Sequence, residues 1–232
     1  MNRLWLLPSI VVVALVACGL LGAYSEMLSP VLGFYLFLGG VVLGALSGLV
    51  LAAASAFASA TGRAWRGPAA RAAAIPLLAA FAVILPRALN PTPIMNDVTT
   101  DLEDSPRFAP DVAAGSGAGG PDFSEMQRAA YEEIGPLLLA QAGQPVFEHA
   151  LAVARGMPDW EITGVHEAQG TIYAVAVSRL FKFRDDVVIR IRAAGTGSRL
   201  DVRSRSRVGR GDMGANAARI LAYQRAFQAA SE

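Results

Sequence analysis

Three long apolar stretches at the start of the chain constrain its folding more than any other feature. Almost everything before Leu89 is hydrophobic, and almost every charge lies after it. Leu4 to Leu21 is apolar apart from Pro8 and Ser9. Val31 to Ala60 is longer, and Ala72 to Leu85 is shorter but continuous. A helix needs about 20 apolar residues to cross the hydrocarbon core of a bilayer, and Pro76 is tolerated in such a helix. The 232 residues therefore divide into three transmembrane helices (1–89), an acidic Pro/Gly-rich linker (90–122) and an α+β domain (123–232).

The charges between the spans set their orientation. Arg3 precedes the first span, Glu26 separates the first from the second, and Arg63, Arg66 and Arg71 separate the second from the third. Basic residues stay on the cytoplasmic side. The N-terminus and second loop are then cytoplasmic, and an odd number of spans puts everything after Arg87 outside. Within the second span Gly40, Gly44, Gly48, Ala52, Ala56 and Ala60 recur every four residues, a stripe that lets another helix approach closely. Two readings stay open for it: packing against the first and third spans, or an oligomer seam through Gly40, Gly44 and Gly48. Leu15-Val16-Ala17-Cys18 also matches a lipoprotein processing box, although Leu20-Leu21 continue the span and two more spans follow. With a single cysteine, no disulfide framework or thiolate metal site is available within a monomer.

The linker carries Asp97, Asp101, Glu103, Asp104, Asp111 and Asp122 against Arg107 as its one arginine after position 87. Its prolines favour extended chain, and Gly115 to Gly120 reads as a flexible tether. Between Pro91 and Phe108 the apolar residues Ile94, Val98 and Phe108 stand among acids. That segment is expected to dock on an arginine-rich surface further along the chain.

That surface lies between Phe181 and Arg219. Val187, Ile189 and Ile191 alternate with Asp186, Val188, Arg190 and Arg192, the period of a half-buried strand. Ala193 to Ser198 supplies a turn. On the next strand Leu200, Val202, Ser204, Ser206 and Val208 share one face, while Asp201, Arg203, Arg205 and Arg207 share the other. Asp212 stands as an N-cap before a helix running from Met213 through Ile220. Upstream, Pro145 to about Gly156 reads as a helix, Trp160 to Val165 as a strand, and Thr171 to Arg179 as another after a turn at Gln169-Gly170. The expected order is helix, antiparallel four-stranded meander, helix, with an earlier strand near Ile94. Such an arrangement would resemble the helix-grip and TATA-box-binding-like architectures.

The segments PTPIMNDVTTD, Asp159-Trp160, FKFRDDVVIRIR and DVRSRSRVGRGDMGANAARI resemble the family called domain of unknown function 1499. The resemblance spans roughly Pro91 to Phe227 and implies a bacterial envelope protein; it implies no activity. With two membranes, the space outside the inner one is the periplasm, so a multi-pass inner-membrane protein with a periplasmic domain is expected. The family usually has a histidine where this chain has Asn96, and a proline where it has Glu132, so no role carries over at those positions.

Candidate chemistry gathers on the arginine face. Guanidinium forks match carboxylate and phosphate oxygens, so Asp186, Arg203, Arg205, Arg207, Asp212, Asn216 and Arg219 form the candidate ligand-binding set. The competing reading is an internal salt-bridge lattice with Asp186, Asp201 and the acidic linker. Asp185 and Asp186 should diverge, because neighbouring strand residues face opposite ways. His149 and His166 have no zinc spacing, and no serine has an identifiable histidine partner, so neither metal nor cofactor is expected. A sequence pI of about 7.9, with the arginines outside the cytoplasm, argues against nucleic acid. Three function classes remain. One is a membrane-anchored envelope module binding an anionic small molecule, a lipid or a protein partner. Another is an enzyme joining Asp186, Arg203, Arg207 and Asp212. The third is a structural or assembly factor of a membrane complex.

Overall fold

A computed structural model describes residues 7–62, 66–110, 122–141 and 143–230. They form two compact units, one from the start of the chain to Pro91 with Arg179–Lys182, the other from Thr92 to Ser178 and from Phe183 onward.

The first unit is built on helices α1 (Leu7–Tyr24), α2 (Pro30–Ala60) and α3 (Arg66–Leu89). All three contain stretches long and apolar enough to cross a membrane. Residues Leu4 to Leu6, expected to open the first span, and Arg63 lie outside the described residues. Ser29 caps α2 by accepting the Leu32 N–H at 3.3 Å, and Pro30 follows in the first turn, where no N–H is needed. The helices meet through small residues. A Cβ added to Gly40 would lie 2.9 Å from Val16 of α1, one on Gly44 3.1 Å from Val12, and one on Gly48 2.6 Å from Leu77 of α3. The glycine stripe is thus covered within the chain, from α1 at one end and α3 at the other. Ser9, buried in α1, donates to the Ala72 carbonyl at 3.0 Å, which satisfies its hydroxyl away from water.

The second unit is an α+β domain. Its strands are β1 (Asp97–Thr99), β2 (Leu137–Leu139), β3 (Trp160–His166), β4 (Thr171–Val177), β5 (Arg184–Ala194) and β6 (Gly197–Ser206). Its helices are α4 (Ser124–Ala130), α5 (Gln144–Gly156) and α6 (Ala215–Ala229). The sheet is antiparallel in the order β1-β6-β5-β4-β3, and β2 pairs with the other half of the β6 edge that β1 occupies. The meander β3 to β6 is the one the sequence predicts, and the early strand is β1. The short β2 has no sequence signal, because three leucines in a row show no alternation.

Alternation decides the two faces of the sheet. Ile172, Ala174, Val187, Ile189, Leu200 and Val202 point inward and pack against Phe147 and Ala150 of α5 and Ile220 and Phe227 of α6. Tyr223, fully buried, donates to the Ala150 carbonyl at 2.9 Å and stacks on Trp160 with centroids 5.5 Å apart. Burial pushes its phenol far above the ordinary value.

Two local features depart from the sequence reading. Residues 92–110 are part of the folded unit: after β1 they run as a strap across the outer face of the sheet, while Gly115 to Gly120 lie outside the described residues. Helix α6 begins at Ala215 rather than at Met213. Met213 and Gly214 take φ values of 60° and 80°, so the chain turns left-handed twice before the helix starts. Asp212 still acts as a cap, accepting the N–H groups of Gly214 at 2.8 Å and Asn216 at 2.7 Å.

The turn between β3 and β4 supplies a test of this packing. Gly170 has φ 60°, receives the Ile191 N–H at 2.7 Å, and leaves only 2.1 Å between a built Cβ and the Ile191 oxygen. Gly170→Ala is expected to cost roughly 2 kcal/mol or more, from backbone strain and the displaced β5 backbone. Thermal unfolding of the full chain in detergent measures it; an unchanged midpoint would contradict the close approach.

Candidate functional site

The outer face of the sheet carries the arginines. Asp97, Asp186 and Arg205 are cross-strand neighbours through β1, β5 and β6, yet neither carboxylate bonds Arg205. Asp97 instead takes a two-pronged contact from Arg203, Nε at 2.9 Å and Nη2 at 2.7 Å. Asp186 takes one from Arg207, Nε at 3.0 Å and Nη2 at 2.6 Å. The Arg203–Asp97 contact is a parallel fork on both oxygens, whereas both donors of Arg207 converge on Asp186 Oδ1 and Nε also reaches Oδ2 at 3.1 Å.

The strap closes the rest of the face. Thr100 prolongs β1 by donating its N–H to the Val202 carbonyl at 2.9 Å. Asp101 Oδ1 accepts the N–H groups of Glu103 and Asp104, fixing a tight turn. Its Oδ2 meets Arg192 at 2.5 Å, Arg199 at 2.8 Å and Arg190 at 3.2 Å. Asp104 adds contacts to Arg190 and Arg192, and the fully buried Asp201 binds Arg199 and Arg190. Burial works against the charge of Asp101. The N–H groups of Asp104 and Glu103 and the guanidinium groups of Arg199 and Arg192 outweigh it, holding the carboxyl below its ordinary range. The expected docking of the acidic segment is therefore observed, with Val98 and Phe108 buried and Ile94 exposed.

Arg205 differs from its neighbours. Among the described residues its side chain makes no hydrogen bond or ion pair, and its buried Nη2 has no partner. Its guanidinium lies 4.3 Å from the centroid of Phe108, with Arg203 at 4.8 Å over the same ring. Burial pushes it below the ordinary arginine value; Asp97 opposes this, Arg203 adds to it, and Asp186 opposes it.

A second network lies on the helix side. Asp185 receives Arg219 Nη2 at 2.7 Å, and Arg219 Nη1 reaches Ser204 at 2.8 Å and Asn216 at 2.6 Å. Asn216 donates to the Asn96 carbonyl at 3.0 Å and to Ser206 at 3.1 Å. Asn96, where the resemblance leads one to expect histidine, donates from its side chain to the Gly209 carbonyl at 2.6 Å. This network ties the start of β1, the end of β6 and the first turns of α6 together.

The candidate residues thus fall into separate arrangements. Asp186 joins Arg207, Arg203 joins Asp97, Arg205 rests on Phe108, and Asp212, Asn216 and Arg219 belong to the helix side. Asp186, Arg203, Arg207 and Asp212 do not converge on one point.

Beside the strap a cleft of about 500 Å³ opens, lined by Ala109, Pro110, Thr163, Gly164, His166, Gln169, Tyr173, Val175 and Arg207. At its wall the β3–β4 register shifts between Ile162 and Gly164, inserting Thr163 as a bulge. Gly164 leaves the space open: an added Cβ would sit 3.1 Å from the Tyr173 ring. The His166 and Tyr173 rings meet edge to face at 5.5 Å. The sequence hid this site, since neither ring carries a motif and the bulge is invisible in the alternation. A smaller polar cavity of about 210 Å³ lies between Asp97, Thr99, Ser124, Gln127 and Arg203. Among the described residues no cluster of His, Cys, Asp and Glu is placed to hold a metal ion.

Removing one member of the buried Asp185–Arg219 pair leaves an uncompensated charge. Arg219→Leu is expected to cost about 3–5 kcal/mol, and adding Asp185→Leu should restore part of that loss. Denaturant unfolding of the single and double variants reads this out, and a double variant no more stable than Arg219→Leu would contradict it.

The family model described as Protein of unknown function (DUF1499) matches residues 97–227, more than half of the chain. No curated protein matches the chain. The matched stretch opens at the first residue of β1 and closes at Phe227, the last core residue of α6. It therefore contains every strand of the sheet and both helices that cover it, and on this match the chain belongs to the DUF1499 family.

Proposed function

We propose that this is a multi-pass protein of the bacterial inner membrane whose periplasmic domain binds a small anionic ligand in the cleft beside the strap. The orientation rests on Arg63, Arg66 and Arg71 between the second and third spans. The binding reading rests on one observation: Arg207 stands in the cleft wall with its side chain 39% exposed, while Asp186 fixes its Nε and Nη2. A guanidinium oriented in this way needs little reorganisation to meet an oxyanion. Thr163, Gln169 and His166 add polar contacts, and Val175 with the rings of His166 and Tyr173 offers apolar surface to the rest of the ligand. A few convergent polar groups within an apolar wall are the usual composition of a small-molecule site.

A structural or assembly role is the second reading, favoured by the completeness of the lattice among Asp101, Asp104, Asp201, Arg190, Arg192 and Arg199. An enzyme built on Asp186, Arg203, Arg207 and Asp212 would need these residues at one locus, and they stand apart.

Native mass spectrometry of the full chain extracted from its own membrane separates the two readings. The wild type is expected to retain an anionic adduct that is lost in Gly164→Phe, which fills the cleft. A wild type with no adduct, or equal retention by the variant, overturns the binding reading. For the orientation, a phosphatase fused after Glu232 is expected to be active; an inactive fusion with a working cytoplasmic-type reporter reverses it.

A further inference from the structure

The loop joining β6 to α6 presents an unusual surface. Met213 is 51% exposed, Val208 45%, and Ile94, from the segment laced against this loop, 70%. The lacing is specific: Asn96 donates to the Gly209 carbonyl at 2.6 Å, Asp212 donates its N–H to the Met95 carbonyl at 3.0 Å, and Gly211 lies close enough to Ile94 that a Cβ would come within 3.2 Å. The patch carries the exposed cation Arg210, flanked by glycines, and the exposed Arg207, which is paired with Asp186, precedes it. The one acid of the loop, Asp212, spends its carboxylate on the N–H groups of Gly214 and Asn216.

Chain length limits where this patch can be. Ile94 follows Leu89, the last residue of α3, by five positions. Extended chain covers at most about 3.6 Å per residue, so Ile94 stays within roughly 18 Å of the helix end. If α3 crosses a membrane, as the proposed function holds, the patch is tethered beside the bilayer surface. Apolar side chains beside an exposed arginine suit that zone, where the chains enter the headgroup layer and the guanidinium meets lipid phosphate.

We infer that Ile94, Val208, Arg210 and Met213 form a membrane-interface contact of the C-terminal domain, with the lipid headgroup layer as its occupant. The test uses the full chain with Cys18→Ala, reconstituted in vesicles of phosphatidylethanolamine and phosphatidylglycerol. Nitroxide labels are placed at Val208→Cys or Met213→Cys. References are Phe81→Cys on the exposed side of α3 and Glu167→Cys on the turn after β3. Collision rates with oxygen and with an aqueous nickel chelate are compared. Labels at 208 and 213 are expected to favour oxygen several-fold more than the label at 167, approaching the label at 81. Chelate access equal to that at 167, with 81 protected, overturns the contact while leaving the spans intact. Chelate access at 81 as well overturns the membrane reading and this inference with it. Spin–spin broadening between copies labelled at 208 would assign the patch to a second copy and likewise overturn it.

Discussion

Two adjacent carboxylates on β5 are drawn to opposite faces of the sheet, and the domain is built around neutralising both. Asp185 and Asp186 are each almost fully buried. An ionised carboxylate in that position is tolerable only beside a bonded cation. Asp185 is met by Arg219 from α6, and Asp186 by Arg207 from the end of β6. A one-residue slip of β5 would exchange the two acids and turn every core valine and isoleucine outward. Charge and hydrophobic pattern therefore specify the same register.

The outer face is finished by a segment of chain rather than by a second helical layer. Val188 and Val175 point to that side and are almost fully buried. Phe108 is buried on the same side, under the guanidinium groups of Arg203 and Arg205. The strap earns its place through Asp101, whose carboxylate makes the turn at one oxygen and meets three arginines at the other. Ala109 and Pro110, just beyond Phe108, become one wall of the cleft. The lattice and the cleft are thus parts of one construction, since holding the strap also shapes the cavity.

Much of this was legible in the sequence, and the failures have physical causes. The alternation in β4 to β6 predicts both faces, because burial on one side enforces period two. The divergence of Asp185 and Asp186 follows from the same geometry. The arginine partners were harder to see. Asp101 and Asp104 lie more than eighty positions from Arg190 and Arg192, so the docking of their segment is expected from its composition but the individual pairs are not. The onset of α6 was misplaced because Asp212 has the chemistry of a cap, whereas Met213 and Gly214 spend two residues in left-handed backbone before the helix begins. Gln127 carries no sequence signal, and neither does the cleft, whose wall includes the residue inserted in β3.

Gln127 has a consequence for how molecules of this kind meet one another. Its amide accepts the Thr99 N–H at 3.0 Å and donates to the Thr99 carbonyl at 2.6 Å, as a neighbouring strand would. The sheet margin beyond β1 is therefore terminated by a side chain, and β1 and β2, three residues each, give too short a run for another strand to follow. At the opposite margin β3 is interrupted by its bulge between Ile162 and Gly164. Neither margin presents a long straight row of open backbone groups, the feature through which sheets of separate molecules fuse. Copies of this domain are in this way hindered from pairing edge to edge into a continuous sheet.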